Sequence, residues 1–106
     1  MPLRRNSSAQ LFAALGDETR LRLIARLCDR GPLSITELTA GSRVTRQGIT
    51  KHLRVMERSG LAHCTRRGRE SLWEVDRQSV EKAQRYLEQI STQWDKALER
   101  LQAFVK

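Results

Sequence analysis

The chain has 106 residues, 39% of them hydrophobic, and a formal net charge of +8, which suits one domain whose small core would gain from a partner subunit. No apolar run approaches the ~18 residues that span a bilayer, no secretion signal follows MPLRRNSSAQ, and two cysteines do not make a disulfide scaffold. A cytoplasmic, reduced protein without a membrane partner is therefore expected.

The charge is unevenly spread. Residues 43–69 hold eight Lys/Arg against Glu57 alone, whereas residues 70–106 hold six against seven acids. Excess confined to one stretch indicates a polyanionic partner, since a general solubility charge would be distributed.

In chain order, Met1 to Asn6 is a basic lead-in. The run beginning at Ser7 or Ser8 then puts Leu11, Phe12 and Leu15 on one helical face. Gly16 ends that helix and Asp17 opens the next, with Glu18 placed where the helix dipole favours negative charge. In DETRLRLIARLCDRG the expected apolar stripe is Leu21, Ile24, Leu27 and Cys28, with Leu23 alongside. Gly31-Pro32 is a stop signal, a left-handed glycine followed by a residue that cannot continue a helix.

Ser34 and Glu37 then form the S-x-x-E pattern of a capping box, and Leu33 and Leu38 have the spacing of a hydrophobic staple. Gly41-Ser42 breaks this short helix. A second helix starting at Thr45 carries Ile49, Leu53 and Met56 or Glu57 along its apolar stripe, and Arg46, Gln47, Thr50, Lys51 and Arg54 elsewhere. Such a helix, hiding aliphatics and showing cations, an amide and a hydroxyl near its N-terminus, suits a DNA major groove. After Gly60, LAHCTR and SLWEV are strand-like around an RGRE loop, with Trp73 and Val75 facing the helices and Arg66, Arg67 and Arg69 at the tip.

From Arg77 to Lys106 no breaker occurs. Val80, Ala83, Leu87, Ile90, Trp94, Ala97, Leu101 and Phe104 recur at alternating steps of three and four, a heptad seam. At ~1.5 Å per residue this helix is about 40 Å long, too long to bury its seam on one small domain. A homodimer through this helix and the Phe12 helix is expected. The predicted organisation is one mainly α domain over 1–106 with a small β-hairpin, in the order α-α-α-α-β-β-α. It divides into N-terminal helices (7–33), helix-turn-helix (34–59), hairpin wing (60–76) and dimerisation helix (77–106).

With those elements placed, ALGDETRLRLIARL resembles the opening signature of the ArsR family of bacterial winged helix-turn-helix repressors. ITKHLRVMERSGLAHCTRRGRESLWEV resembles its recognition helix and wing. The tail YLEQISTQWDKALERLQAF, with its central Trp94, resembles a branch often encoded beside small lipid-binding-fold (SRPBCC) proteins. The resemblance implies a dimeric repressor that binds an inverted repeat near its own promoter. It puts base reading on Arg46, Gln47, Thr50 and Lys51, with DNA backbone and wing contacts from Thr45, Arg54, Arg66, Arg67 and Arg69. Two positions depart from the family pattern. Arg43 stands where a glycine usually makes the turn, and a left-handed arginine costs roughly 1–2 kcal/mol unless Gly41 takes the turn over. Gly48 lies inside the recognition helix, at a cost of up to about 1 kcal/mol relative to Ala; close approach of the backbone to DNA and tolerated drift are the two explanations.

Many relatives sense metals, with cysteines in the helix before the turn or His and carboxylate pairs on the last helix. Here those places hold ITELTAG and a histidine-free helix, and Cys28, His52, His63 and Cys64 have no metal-ligand spacing. No metal and no cofactor are expected. His52 is given a structural role, Trp73 and Trp94 packing roles, and Cys28 a place in the core. Without a phosphate loop, an H-E-x-x-H motif or an acid pair, an enzyme is not expected. The alternatives are a coiled-coil adaptor or antitoxin-like protein, or a repressor sensing thiol redox state through Cys64. A small-molecule effector remains open.

Overall fold

Helix ends fall where short polar residues and glycines stand in the sequence. The computed structural model describes residues 7–105; the basic lead-in Met1–Asn6 lies outside them. The elements are α1 (Ser7–Leu15), α2 (Glu18–Arg30), α3 (Ile35–Thr39), α4 (Arg46–Arg58), β1 (Ala62–Arg67), β2 (Glu70–Val75) and α5 (Arg77–Val105), the order expected. Asp17 caps α2, its carboxylate accepting from the Arg20 amide at 3.0 Å; this bond, foremost, holds its carboxyl below the usual range. Gly31 closes α2 at φ 81°, its amide donating to the Leu27 carbonyl.

The capping box on α3 is complete. The Glu37 amide donates to Ser34 Oγ at 3.1 Å, and the Ser34 amide to Glu37 Oε1 at 3.0 Å. The second bond, the larger cause, lowers the Glu37 carboxyl below its ordinary value. At the far end of α4, Gly60 (φ 83°) donates to the Glu57 carbonyl and Leu61 to that of Met56. These are the paired bonds of a Schellman ending, which satisfy carbonyls a helix end leaves open.

The core gathers where α2, α4 and the hairpin meet. Leu38, Ile49, Leu53, Met56 and Leu61 are completely enclosed, with Leu11, Leu23, Leu27, Leu33 and Trp73 around them. Both residues of the expected staple, Leu33 and Leu38, belong to this cluster. The stripe on α2 differs from expectation: Leu21 is half exposed and Cys28 is exposed, while Leu23 and Leu27 are buried. The helix is rotated because α4 and β2 pack on the Leu23–Leu27 side, and Leu21 and Cys28 lie past its edge.

β1 and β2 pair antiparallel from Ala62↔Val75 to Arg67↔Glu70. The strands run one residue further toward the tip than the RGRE loop implied, leaving a two-residue turn, Gly68-Arg69. Gly68 has φ 61° while Arg69 keeps a negative φ, the II′ pattern that matches strand twist. Leu33 adds an isolated rung on the other side of β2: its amide donates to the Trp73 carbonyl at 2.9 Å, and the Trp73 amide to its carbonyl at 2.8 Å.

α5 runs for 29 residues. α1 packs against it, with the rings of Phe12 and Tyr86 5.7 Å apart. Of the seam residues, Ala83 is buried within the chain and Ile90 and Ala97 are half-buried. Leu87 (54%), Trp94 (64%), Leu101 (60%) and Phe104 (87%) are exposed.

Candidate nucleic-acid interface

The turn between α3 and α4 is built from short-range bonds. The Ser42 amide donates to the Thr39 carbonyl, and the Val44 amide to Ser42 Oγ at 3.0 Å. Gly41 takes the left-handed conformation at φ 74°, and no non-glycine residue among those described has a positive φ. Arg43 is therefore unstrained, and the missing family glycine is replaced two residues upstream. Thr45 is the N-cap of α4, its hydroxyl accepting from the Gly48 amide at 3.1 Å. A Cβ at position 48 would lie 2.6 Å from Val44 Cγ1. The turn's own side chain accounts for this glycine without reference to DNA.

α4 divides into two faces. Ile49, Leu53 and Met56 are buried, and on the opposite side Arg46, Gln47, Thr50 and Lys51 line one open depression. Arg46, Gln47 and Lys51 are exposed; Thr50 is half-buried, its hydroxyl donating to the Arg46 carbonyl at 2.9 Å. The Arg46 guanidinium reaches back to α3, Nη1 donating to Thr36 Oγ1 at 3.0 Å. One turn further on, Arg54 is exposed and paired with Glu57 at 3.2 Å.

The hairpin supplies the second cationic surface. By register Arg66 lies on the sheet face of Trp73 and Arg67 on the other, both exposed, with Arg69 in the turn between the strands. Arg69, Glu70 and Ser71 close one side of a groove whose other walls are Ser34–Glu37 and Arg46. Arg46 of α4 and Arg69 of the wing tip thus line one groove together with Glu37 and Glu70, and Arg46 also belongs to the open face of α4. Arginine and lysine there can pair with guanine O6/N7, a glutamine with adenine, and a threonine with either.

Residues outside the sequence-derived set hold this surface in place. Arg26 of α2 donates to the Leu38 carbonyl at 2.6 Å and the Glu37 carbonyl at 2.7 Å, so a cation caps the C-terminus of α3. Arg20 donates to the Ala14 carbonyl at 2.6 Å and lies 3.3 Å from His52 Nδ1, itself 3.8 Å from Asp17. His52 is tied to the α1–α2 corner through Arg20 and Asp17. Thr36 and Arg26 carry no local signal of these partners, which lie ten or more positions away in sequence. On the wing, His63 pairs with Glu74 at 2.8 Å, and Cys64 is an exposed free thiol opposite Trp73. Among the described residues no group of His, Cys, Asp and Glu could hold a metal ion, and no helix is long and apolar enough to cross a membrane.

Known proteins share this arrangement. Residues 15–65 match a helix-turn-helix domain profile. The chain is 40% identical over 65 residues to the uncharacterized HTH-type transcriptional regulator YuzN of Bacillus subtilis (strain 168), covering 56% of this chain and 71% of that one. It is 30% identical over 71 residues to the arsenical resistance operon repressor of the same organism, covering 67% and 68% respectively. An ArsR-like transcriptional regulator from Rhodococcus sp. RHA1 superposes with a TM-score of 0.83 and 33% identity, over 94% of this chain and 93% of that one. By its identity to these regulators and the fold it shares with the Rhodococcus protein, the chain belongs to the ArsR family of winged helix-turn-helix transcriptional regulators.

Proposed function

We propose that this DNA-binding regulator is a homodimeric cytoplasmic repressor that recognises an inverted-repeat operator without a metal ion. The observation that carries the reading is the depression on α4 lined by Arg46, Gln47, Thr50 and Lys51, the four residues assigned to base choice. Thr45, Arg54, Arg66, Arg67 and Arg69 contact phosphates or the adjacent minor groove. Dimerisation uses Phe12 together with Val80, Leu87, Ile90, Trp94, Ala97, Leu101 and Phe104, whereas Ala83, expected in the same seam, packs inside the protomer. The exposed apolar side chains of α5 support it, since large surfaces of this kind mark association sites. Two α4 helices related by a twofold axis then meet successive major-groove faces of one duplex.

The test is a binding series on the DNA upstream of the chain's own gene, with a scrambled duplex as control and salt varied throughout. The repressor binds its palindrome at least about a thousandfold more tightly than the scrambled duplex. Arg46→Ala relaxes base choice at one position of each half-site. Arg69→Ala weakens all sequences alike and lowers the salt slope by about one. Equal, salt-sensitive binding to both duplexes would instead favour the adaptor reading, to which the exposed face of α5 also lends itself. Affinity measured with EDTA and with added zinc, nickel or copper should agree to within tenfold, about 1.4 kcal/mol. A larger, saturable change would overturn metal independence, and a loss reversed by thiol reductant would move the signal to Cys64.

A further inference from the structure

The hydrogen bond from Arg46 Nη1 to Thr36 Oγ1 at 3.0 Å joins two helices through exposed side chains, where long arginines are ordinarily free. We infer that Thr36 is a specificity-determining positioning residue: it holds the Arg46 guanidinium ready for base contact while touching no base itself. The inference rests on the proposed base-reading role of Arg46.

Three features make Thr36 a fixed platform. It sits in the first turn of α3, inside the capping box that Ser34 and Glu37 close. The other end of α3 is gripped by the two bonds from Arg26, and Leu38 is completely buried. A five-residue helix clamped at both ends presents its hydroxyl in one place. Arg46 is also anchored, because it is the first residue of α4, next to the Thr45 cap. The connection therefore spans two fixed points, and what it orders is the arginine side chain.

The chemistry of the partner matters as much as its place. Glu37 and Glu70 both line the same groove, but the Glu37 carboxylate accepts the Ser34 amide and the side-chain bond that Arg46 makes is to the hydroxyl. Arg46 is thus held by a neutral hydroxyl that leaves its full charge available to DNA. A carboxylate partner would cancel that charge and bring a negative group toward the phosphates. The bond uses one N–H of a guanidinium that has five. Those remaining are enough for the two-pronged contact with guanine O6 and N7.

Free of Thr36, Arg46 must be ordered at the moment of binding. Immobilising one such side chain weakens affinity by about three- to tenfold, and the loss falls on the base pair Arg46 reads. The experiment selects from a pool of random-sequence duplexes with the intact wild-type chain and its Thr36→Val, Thr36→Ser and Arg46→Ala variants, then measures affinity for the enriched site and its single-base variants. Valine keeps the branched shape and removes the acceptor, and serine keeps the acceptor. Circular dichroism melting checks that all four are folded.

The expected result is that Arg46→Ala erases preference at one position per half-site, Thr36→Val weakens that same preference, and Thr36→Ser restores it. A Thr36→Val chain with wild-type preference, beside an altered Arg46→Ala, overturns the role of Thr36 and leaves the functional reading intact. Tighter binding by Thr36→Val overturns it as well, since the hydroxyl would then be holding the arginine back. If Arg46→Ala leaves preference unchanged, or the wild-type chain enriches nothing, the base-reading assignment falls and this inference with it.

Discussion

Replacing Gly48 by alanine sets two effects of known size against each other. In an open helix the change stabilises by about 1 kcal/mol, the propensity difference between the two residues. Here the new Cβ lies 2.6 Å from Val44 Cγ1 and 3.3 Å from Thr45 Oγ1. Val44 is half-buried and packs against the core cluster, so its methyl does not swing away freely. Forcing it off its rotamer costs ~0.5–1.5 kcal/mol, and disturbing the Thr45 cap costs about 1 kcal/mol more. The clash wins, leaving a net destabilisation of about 1 kcal/mol, or a melting temperature lower by roughly 4–8 °C. In a Val44→Ala background the valine contact is gone while the Thr45 contact at 3.3 Å stays, so Gly48→Ala should be close to neutral and the two sites couple by about 1 kcal/mol. Urea denaturation of the four chains at one protomer concentration measures the cycle, concentration being fixed because association adds to apparent stability. Stabilisation by Gly48→Ala in the wild-type background, or an effect equal in both, would refute the steric account of this glycine.

Leu87 is half exposed on α5, so in the proposed homodimer Leu87→Asp should set like charges against each other across the twofold axis. Sedimentation should then show a monomer, with operator binding lost in parallel; an unaltered dimer would remove the seam. Arg26→Ala removes both bonds to the end of α3 and should cost about 2 kcal/mol of stability, given ~1.5–3 kcal/mol for a hydrogen bond to a charged group and partial exposure here. Arg26→Lys should recover less than half of that, because an ammonium does not fork onto two carbonyls; full recovery would contradict the geometry. Asp17 and Glu37 both titrate below their ordinary values of 3.8 and 4.5. Groups so depressed stabilise the fold above the unfolded value and lose that contribution as pH falls through the folded one. Melting temperature should therefore be level above pH 4.5 and drop below it, and Glu37→Gln, which keeps the cap, should lessen the drop.

What was legible in the sequence is what chemistry fixes over three or four residues. Asp17, Ser34 with Glu37, and Thr45 cap the helices they were expected to open. Gly31, Gly41, Gly60 and Gly68 take the positive φ that their turns demand. The two faces of α4 followed from period alone. The stripe on α2 did not, because Leu21, Leu23, Ile24 and Leu27 leave the phase of the helix open within one residue step. Packing against α4 and β2 decided it, turning Cys28 outward. The same limit hid the Arg26 clamp, the Thr36–Arg46 bond and the Leu33–Trp73 rung, each of which joins residues ten or more apart. Gly48 was recognised as unusual, but its cause, a valine four residues before it, became visible only once the turn had a shape.

The junction between α4 and α5 carries a mechanical consequence. Ser79 Oγ donates to the Gly60 carbonyl at 2.6 Å and the Asp76 amide to the Leu61 carbonyl at 2.8 Å, stitching the start of the long helix to the residues that end the reading helix. The wing strands lie between these points in sequence, yet no slack lies between them in space. The start of α5 is therefore joined to the end of α4 by hydrogen bonds as well as by the chain. In the proposed homodimer, the distance between the two α4 helices would be set by how α5 crosses its partner. Lengthening the wing loop would leave that distance where it was.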